Sequence, residues 1–159
     1  MSLASPRSLL AGIAGVSLLA VAAALYTQYA WDMQPCAWCV LQRLVFVAVA
    51  AAALVGLAMP GAVGRRGSAA LAMLLADLGL AAALWQHFVA NRSASCNMTL
   101  ADKLIGVTGL DRTLPEVFAA YASCAEAKVD LAGLPYEWWS AALFTLLSLA
   151  ALRVVLRPA

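Results

Sequence analysis

The chain has 159 residues, of which 65% are hydrophobic and 11% are charged. A soluble domain of this length needs much more polar surface, so the composition indicates a membrane protein. The formal net charge of +2 is small and the basic residues are scattered, which argues against a nucleic-acid-binding protein.

Four apolar segments are long enough to cross a membrane as helices. The chain contains uncharged runs of 24, 21 and 15 residues, and a run of 25 that is interrupted only by Asp77 and His87. A span needs roughly 20 helical residues, and the last run reaches that length if Arg153 extends its charged end to the interface. We therefore predict an all-α membrane protein, a single domain over 1–159 that forms a bundle of four transmembrane helices at about 9–30, 41–60, 68–90 and 138–156.

The distribution of charge predicts the orientation of these spans. With four spans, both termini lie on one side together with the turn at 60–67, and that side carries five arginines and no acid: Arg7, Arg65, Arg66, Arg153 and Arg157. The other side has Asp32 and a long loop, 91–137, with four basic and six acidic residues. An excess of Lys and Arg marks the cytoplasmic side, so we predict that both termini are cytoplasmic. The alternative is a cleaved signal peptide over 1–25, but its apolar run is longer than is typical of signal peptides. Even with cleavage, the two outer loops would still lie on the non-cytoplasmic side.

All four cysteines fall in the two outer loops. The first loop, about 31–40, contains Cys36-Ala37-Trp38-Cys39 at the start of the second span, and the second loop contains Cys96 and Cys124. Glycines at 106, 109 and 133 predict that the second loop can bend. Four of its apolar residues have helical spacing, which predicts a short amphipathic helix that lies on the membrane face or packs on the bundle: Leu114, Val117, Phe118 and Tyr121. Thr113 and Glu116 have the spacing of a capping box for this helix.

A Cys-x-x-Cys pair can be redox-active, bind zinc or attach haem. Covalent haem attachment needs a histidine directly after the second cysteine, where this chain has Val40. Structural zinc sites use four Cys or His ligands, but the one histidine, His87, lies within a span, and Cys96 and Cys124 are too far apart to form a second close pair. We therefore predict no metal site.

The redox interpretation has support from the surrounding residues. Cys36 and Cys39 lie at the N-terminal end of a predicted helix, where the helix dipole favours a thiolate. Arg43 lies on the same helical face, where a cation lowers a thiol pKa and can hold a polar ligand. Two simpler interpretations remain open: Arg43 as an interfacial anchor, and an inert structural disulfide between Cys96 and Cys124.

The run Pro35-Cys36-Ala37-Trp38-Cys39-Val40-Leu41-Gln42-Arg43, followed after the third span by a loop with a second cysteine pair, resembles the disulfide bond formation protein B (DsbB) family. The resemblance covers essentially the whole chain. It implies a bacterial inner-membrane enzyme, monomeric in the membrane, that reoxidises a periplasmic DsbA-like thioredoxin-fold protein with membrane quinone. Electrons are then expected to pass from the partner to Cys96–Cys124, then to Cys36–Cys39, and then to a quinone, with ubiquinone favoured over menaquinone.

The resemblance also implies roles for residues near the quinone. Arg43 is expected to support a quinone oxygen, and His87 lies in the region where the family places quinone contacts. Asp77 has no family role, and we expect either proton delivery to the reduced quinone or a polar contact inside the bundle. Tyr136 lies where the family commonly has a methionine–proline pair, so a quinone contact from it is left open.

Two other functions compete with this interpretation. The vitamin K epoxide reductase family does similar chemistry on a related four-helix plan, but there the loop cysteine pair precedes the Cys-x-x-Cys, whereas here it follows. A small membrane transporter or assembly subunit with two structural disulfides is the alternative from a different class.

Overall fold

Four long helices make up most of the chain. In a computed structural model, which describes residues 5–92 and 98–157, they are α1 (Pro6–Ala30), α2 (Ala37–Ala58), α3 (Ala62–Phe88) and a final helix, Tyr136–Val155. Within that described part, four helices are long and apolar enough to cross a membrane, and they coincide with the four predicted spans. The predicted all-α bundle of four transmembrane helices is therefore confirmed.

The helix boundaries differ from the predicted ones because local capping, and not hydropathy alone, determines where a helix begins. Helix α1 begins at Pro6, a residue suited to a first turn, and the Ser5 hydroxyl accepts a hydrogen bond from the Ser8 backbone N–H at 3.1 Å. Helix α2 begins at Ala37 and not at 41. That difference places Cys39 in the first turn of the helix.

The bundle is held together by close packing of small residues from α3. Ala72, Ala76 and Gly79 are buried on one face of α3, which allows neighbouring helices to approach closely. The ring of Phe144 from the final helix stacks on Phe46 from α2 with centroids 4.0 Å apart. A Cβ on Gly79 would lie 2.5 Å from the Phe144 ring, so this contact requires glycine.

The outer loop between α3 and the final helix contains several short elements. After a 3-10 turn at Ala90–Arg92 come α4 (Leu100–Thr108), α5 (Leu110–Thr113) and α6 (Pro115–Phe118). A two-residue hairpin pairs β1 (Asp130–Leu131) with β2 (Leu134–Pro135) and leads directly into the last helix, α7 (Tyr136–Val155).

Details of this loop differ from the sequence-based expectations. The capping box expected at Thr113 and Glu116 is wrong: the residue before α6 is Leu114, without a side-chain cap, and the Thr113 hydroxyl donates to the Gly109 carbonyl. Helix α6 is a single turn that ends at Phe118, because Ala119 is extended. A capping box does occur earlier in the loop, where Thr99 caps α4.

Two of the three loop glycines have specific conformational roles. Gly109 (φ 67°) ends α4 in the left-handed region, and Gly133 (φ 80°) forms the turn between β1 and β2. Glycine adopts such angles without steric cost, so these two positions reverse the chain at fixed points. Elsewhere, the Ser148 hydroxyl donates to Asp77 at 2.7 Å, which is a polar contact between α3 and α7. Asp77 is exposed on the outside of the bundle, so the expected position of this contact inside the bundle is wrong.

Candidate redox site

The Cys-x-x-Cys pair lies at the outer end of α2. Cys36 is the N-cap residue of α2, and its carbonyl accepts the Val40 N–H at 3.0 Å, which closes the first turn. The two sulfur atoms of Cys36 and Cys39 lie 3.1 Å apart. The side chain of Cys36 is 0% exposed, whereas Cys39 is half-buried. Solvent therefore does not reach the first cysteine of the pair.

Backbone hydrogen bonds bring Cys124 next to this pair. The N–H groups of Tyr121 and Ala122 both donate to the carbonyl of Pro35, at 3.0 and 3.3 Å. This attaches the second outer loop to the residue directly before Cys36. Cys124 is buried in the same apolar cluster as Cys36.

The turn that contains Cys124 is closed by its own hydrogen bonds. The Ser123 hydroxyl and N–H both donate to the Glu126 carboxylate, at 2.8 and 3.0 Å, and the Glu126 N–H donates back to the hydroxyl. The bonds from Ser123 hold the pKa of Glu126 below its usual value. Cys124 therefore sits in a turn with defined hydrogen bonds.

The surroundings of Cys36 act against the expected thiolate. A side-chain hydrogen bond with Cys124, a second one with Cys39, and burial all raise the pKa of the Cys36 thiol. The helix dipole and these neighbours therefore act in opposite directions on the Cys36 thiol, while the expectation was made for the pair.

Cys96, the fourth cysteine, lies outside the described residues. Among the cysteines that the structure describes, no two are joined by a disulfide bond: Cys36, Cys39 and Cys124. Within 5–92 and 98–157, no group of three His, Cys, Asp or Glu side chains is placed to hold a metal ion.

Arg43 is buried and bonded to the protein, so the interpretation as an interfacial anchor in the headgroups is wrong. Its side chain is 6% exposed, and one terminal nitrogen, Nη1, donates to Gln28 Oε1 at 2.6 Å and to the Val117 carbonyl at 3.1 Å. The other, Nη2, donates to the Ala24 carbonyl at 3.4 Å. Arg43 thus connects α1 and α2 to the outer-loop turn α6.

A cavity of about 220 Å³, here called the inner cavity, lies between α1, α2, α3 and α7. Its polar side includes Cys39, Gln42, Arg43 and Gln86, and its apolar side includes Ala20, Ala23, Ala24, Phe46 and Leu143. Gln42 donates to Gln86 at 2.7 Å, and Gln86 donates to the sulfur of Cys39 at 3.2 Å. The Gln86 amide therefore holds the Cys39 sulfur in position at the wall of the cavity.

A buried carboxyl group completes the wall of this cavity. Glu137, at the start of α7, is 3% exposed and lines the inner cavity. His87 Nδ1 lies 2.7 Å and Asn91 Nδ2 2.8 Å from the same oxygen, Oε1. His87 itself is not among the residues that line the cavity and reaches the wall through Glu137. Tyr136 does line it, with its hydroxyl 3.2 Å from the Thr27 hydroxyl.

Sequence reasoning did not single out Gln42, Gln86 or Glu137. The two amides carry no charge, so they did not interrupt the hydrophobic runs, and Glu137 was counted only as loop charge. A search for polar side chains inside predicted spans, or within one turn of their ends, finds all three.

Comparison with known proteins matches the whole chain to one family. The family model described as "Disulfide bond formation protein DsbB" matches residues 6–154. A protein named disulfide bond formation protein B from Aromatoleum aromaticum is 34% identical over 157 residues, which is 96% of this chain and 94% of the relative. Proteins of the same name from Herminiimonas arsenicoxydans (32%; 95% and 96%) and Stutzerimonas stutzeri (31%; 99% and 99%) are similar over comparable lengths.

Proposed function

The chain belongs to the DsbB family of disulfide bond formation proteins, and we propose that it is a protein-dithiol:quinone oxidoreductase that reoxidises a periplasmic DsbA-like partner. The family assignment implies a disulfide-forming oxidoreductase in a multi-pass membrane protein. The proposal adds the route of electrons, from the partner to Cys96–Cys124, then to Cys36–Cys39, and then to membrane quinone.

The position of Cys39 is the observation that carries this proposal. Its sulfur lies 3.1 Å from that of Cys36 on one side, and it lines the inner cavity on the other. A cysteine pair that only stabilised the fold would have no need of a cavity with a buried arginine beside its second sulfur. Cys39 is therefore the proposed point at which electrons leave the cysteines.

The inner cavity fits the head of a quinone. It offers an apolar wall for a ring and donors for carbonyl oxygens from Arg43, Gln42 and Gln86, the combination typical of small-molecule sites. Arg43 and, through Glu137, His87 are the proposed quinone-site residues. A bound quinone supplies an acceptor for two electrons and two protons.

The burial of Cys36 determines how electrons can reach it. Because its side chain is 0% exposed, a soluble partner cannot attack it directly, whereas Cys124 lies beside it. We infer that the partner first reduces Cys96–Cys124. The Cys124 thiolate then attacks the sulfur of Cys36, forms a Cys36–Cys124 disulfide and releases Cys39 as a thiolate. Attack of Cys96 on Cys124 then restores the loop disulfide and leaves Cys36 and Cys39 reduced.

An outer cavity of about 570 Å³ supports access to the loop pair from outside. It is lined by Cys124, Trp38 and Trp85, and by residues on both sides of the segment that contains Cys96, including Val89 and Thr99. Trp85 is exposed, and exposed aromatic residues are common where a protein partner docks.

The charge distribution supports the proposed location. We place the protein, as a monomer, in a bacterial inner membrane with its cysteines on the periplasmic side, because the arginine-rich ends of the bundle carry no acid: Arg7, Arg65, Arg66, Arg153 and Arg157. A cysteine-accessibility assay on intact spheroplasts tests this placement. Labelling of an exposed loop position, Glu116→Cys in a variant without the four native cysteines, only after the membrane is made permeable contradicts it.

Quinone reduction by the purified protein tests the function. The protein is mixed with ubiquinone and a reduced thioredoxin-fold protein, and the loss of quinone absorbance is followed; a partner with alkylated thiols is the control. We expect reduction that stops in Cys36→Ala/Cys39→Ala and in Cys96→Ala/Cys124→Ala variants. Disulfides that stay oxidised when the reduced partner is added indicate the transporter or assembly subunit instead. Quinone reduction that persists without Cys36 and Cys39 contradicts the proposed route.

A further inference from the structure

We propose that Glu137 delivers protons to the inner cavity and that His87 resupplies them from the outer surface. The inference rests on the proposed quinone reduction and assigns to these two residues a part of that reaction that the cysteines do not perform.

The placement of Glu137 is the first step of the argument. A carboxyl group that is 3% exposed at the end of a membrane helix is energetically costly, and such groups commonly mark proton or substrate paths. Within the described residues, both hydrogen bonds to this carboxyl end on Oε1, while Glu137 also lines the inner cavity. One oxygen is thus bound to His87 and Asn91, and the other, Oε2, can face a molecule in the cavity.

His87 lies between this carboxyl and the surface of the protein, one residue before the end of α3. Its side chain is 27% exposed, and its Nδ1 lies 2.7 Å from Oε1 of Glu137. The imidazole ring lies edge-on to Phe88 and Trp138, with centroids 4.9 and 5.1 Å away, which fixes its orientation. An imidazole that is partly exposed and bonded to a buried carboxyl can take a proton from water and pass it inward.

Other ionisable groups face Glu137 across the cavity. They are Arg43 and Cys39 from α2 and Tyr136 from α7 itself, while the wall from α1 consists of alanines. Arg43 is already bonded to Gln28 and Val117 and cannot donate a proton at neutral pH. Cys39 leaves the proposed exchange as a thiolate and therefore holds no proton to give. Among the groups at this cavity, Glu137 is a carboxylic acid, and its hydrogen-bond partner His87 reaches the surface of the protein.

The proton and electron balance of the step is complete. The reduced Cys36–Cys39 pair gives an electron pair to the quinone and becomes a disulfide, while the two protons of the partner's dithiol pass to water at the outer surface during thiol exchange. Each proton that the quinone needs comes from the Glu137 carboxyl, which becomes a carboxylate. His87 then passes its Nδ1 proton to Oε1, and rotation about the Cγ–Cδ bond turns the protonated oxygen to the cavity. His87 then regains a proton from water at the outer surface. Repeating these transfers once supplies the second proton.

A purely structural role predicts different behaviour from this proton path. Glu137 also attaches the end of α3 to α7, and a glutamine can retain that attachment because its carbonyl accepts from Asn91 and His87. A glutamine cannot carry a proton. Glu137→Gln therefore separates the two roles.

The experiment compares Glu137→Gln with Glu116→Gln, an exposed acid on the same side of the membrane. Quinone reduction with a saturating reduced partner is measured across a range of pH. The general acid in an enzyme typically contributes about 10²–10⁴-fold, and since water can substitute in part we expect at least a tenfold loss in Glu137→Gln. The wild-type rate should fall as the pH rises, because the path takes each proton from water, and this dependence should flatten in the variant.

Two readouts are independent of turnover. Thiol exchange with the reduced partner, measured without quinone, should be unchanged in Glu137→Gln, which shows that the cysteines remain in place. Infrared difference spectra on quinone addition should contain a carboxyl C=O band in the wild type that is absent from Glu137→Gln and present in Glu116→Gln.

The outcomes distinguish this inference from the proposed function. If the wild type reduces no quinone, the proposed function fails and the inference fails with it. If the wild type is active and Glu137→Gln matches Glu116→Gln in rate, pH profile and carboxyl band, only the proton path is wrong. If Glu137→Gln does not fold, Glu137→Asp, which keeps the acid, is expected to retain the pH dependence at a lower rate. Loss of that dependence in the aspartate variant overturns the inference.

Discussion

Replacement of Arg43 by methionine tests how the outer loop is held on the bundle. Methionine preserves much of the side-chain volume and removes the guanidinium group, so Gln28 Oε1 and the Val117 carbonyl lose their donor. Since Val117 precedes Cys124 in the same loop, we expect the loop to loosen at the point where it meets α2.

The expected loss of unfolding free energy follows from the two shortest hydrogen bonds of Arg43, at 2.6 and 3.1 Å. The third, at 3.4 Å, is too long to contribute much. Side-chain hydrogen bonds between membrane helices contribute about 0.6 kcal/mol on average. Bonds from an ionised donor are roughly twice as strong as neutral ones. Two such bonds therefore contribute about 2 kcal/mol, a factor of roughly thirty in the folded-to-unfolded ratio.

The assay is unfolding in mixed micelles with increasing dodecyl sulfate, followed by circular dichroism. Arg112→Met, at an exposed arginine of α5, is the matched control. Arg43→Lys should recover about half of the loss, because an ammonium at the end of a flexible chain does not reproduce the fixed fork of guanidinium donors. If Arg43→Met is no less stable than Arg112→Met, the reasoning that Arg43 connects the loop to the bundle is refuted.

Three further predictions concern helix packing, cysteine contact and the amide at the cavity. Gly79→Ala places a methyl group 2.5 Å from the Phe144 ring, and overpacking of this kind should lower the unfolding free energy by about 1–3 kcal/mol in the same dodecyl sulfate assay. With the other two cysteines replaced by alanine, Cys36 and Cys124 should form a disulfide under mild oxidation, seen as loss of thiol alkylation on a gel. Gln86→Met removes the donor to the second sulfur of the Cys-x-x-Cys pair; a typical hydrogen bond contributes about 0.5–1.5 kcal/mol, so quinone reduction should slow roughly two- to twelvefold.

Each of these three predictions has a control variant that differs in one feature. Gly12→Ala adds the same methyl group where nothing lies within 4 Å, and equal destabilisation there counts against the packing argument. A variant that keeps Cys39 and Cys124 should cross-link more slowly than the Cys36 variant, and the reverse order contradicts the proposed exchange. Gln34→Met removes an exposed amide outside the cavity, and slowing equal to that of Gln86→Met argues against a specific role for the buried amide.

The four spans could be predicted from the sequence because hydrocarbon imposes a simple rule: about 20 apolar residues must be helical to satisfy their own backbone. The start of α2 was harder to predict from the sequence. Hydropathy placed it at 41, whereas the chain becomes helical at Ala37, where Cys36 serves as N-cap. Helix α4 was not predicted at all, since its Thr99 cap and nine residues produce no long apolar run.

Contacts between segments far apart in sequence were the least predictable part of the site. The helix dipole gave a local reason for a thiolate at Cys36, but the pKa of that thiol is raised by a neighbour 88 positions along the chain, Cys124. That neighbour is placed by two N–H groups on the Pro35 carbonyl, a contact with no signature in composition or spacing. The burial of Arg43 could not be predicted for the same reason, because the groups that accept its hydrogen bonds come from α1 and α6.

In the two proposals, electrons and protons reach the inner cavity from different helices. Electrons would arrive along α2, where Cys39 lines the wall beside Arg43, and protons would arrive from α3 through His87 to Glu137 on α7. Electron transfer without proton delivery would leave charge in an apolar cavity, which is costly in a low dielectric. Because the two routes enter through different side chains, each can be removed alone: loss of Cys39 should abolish turnover at every pH, whereas loss of the Glu137 acid should remove the pH dependence and leave thiol exchange intact.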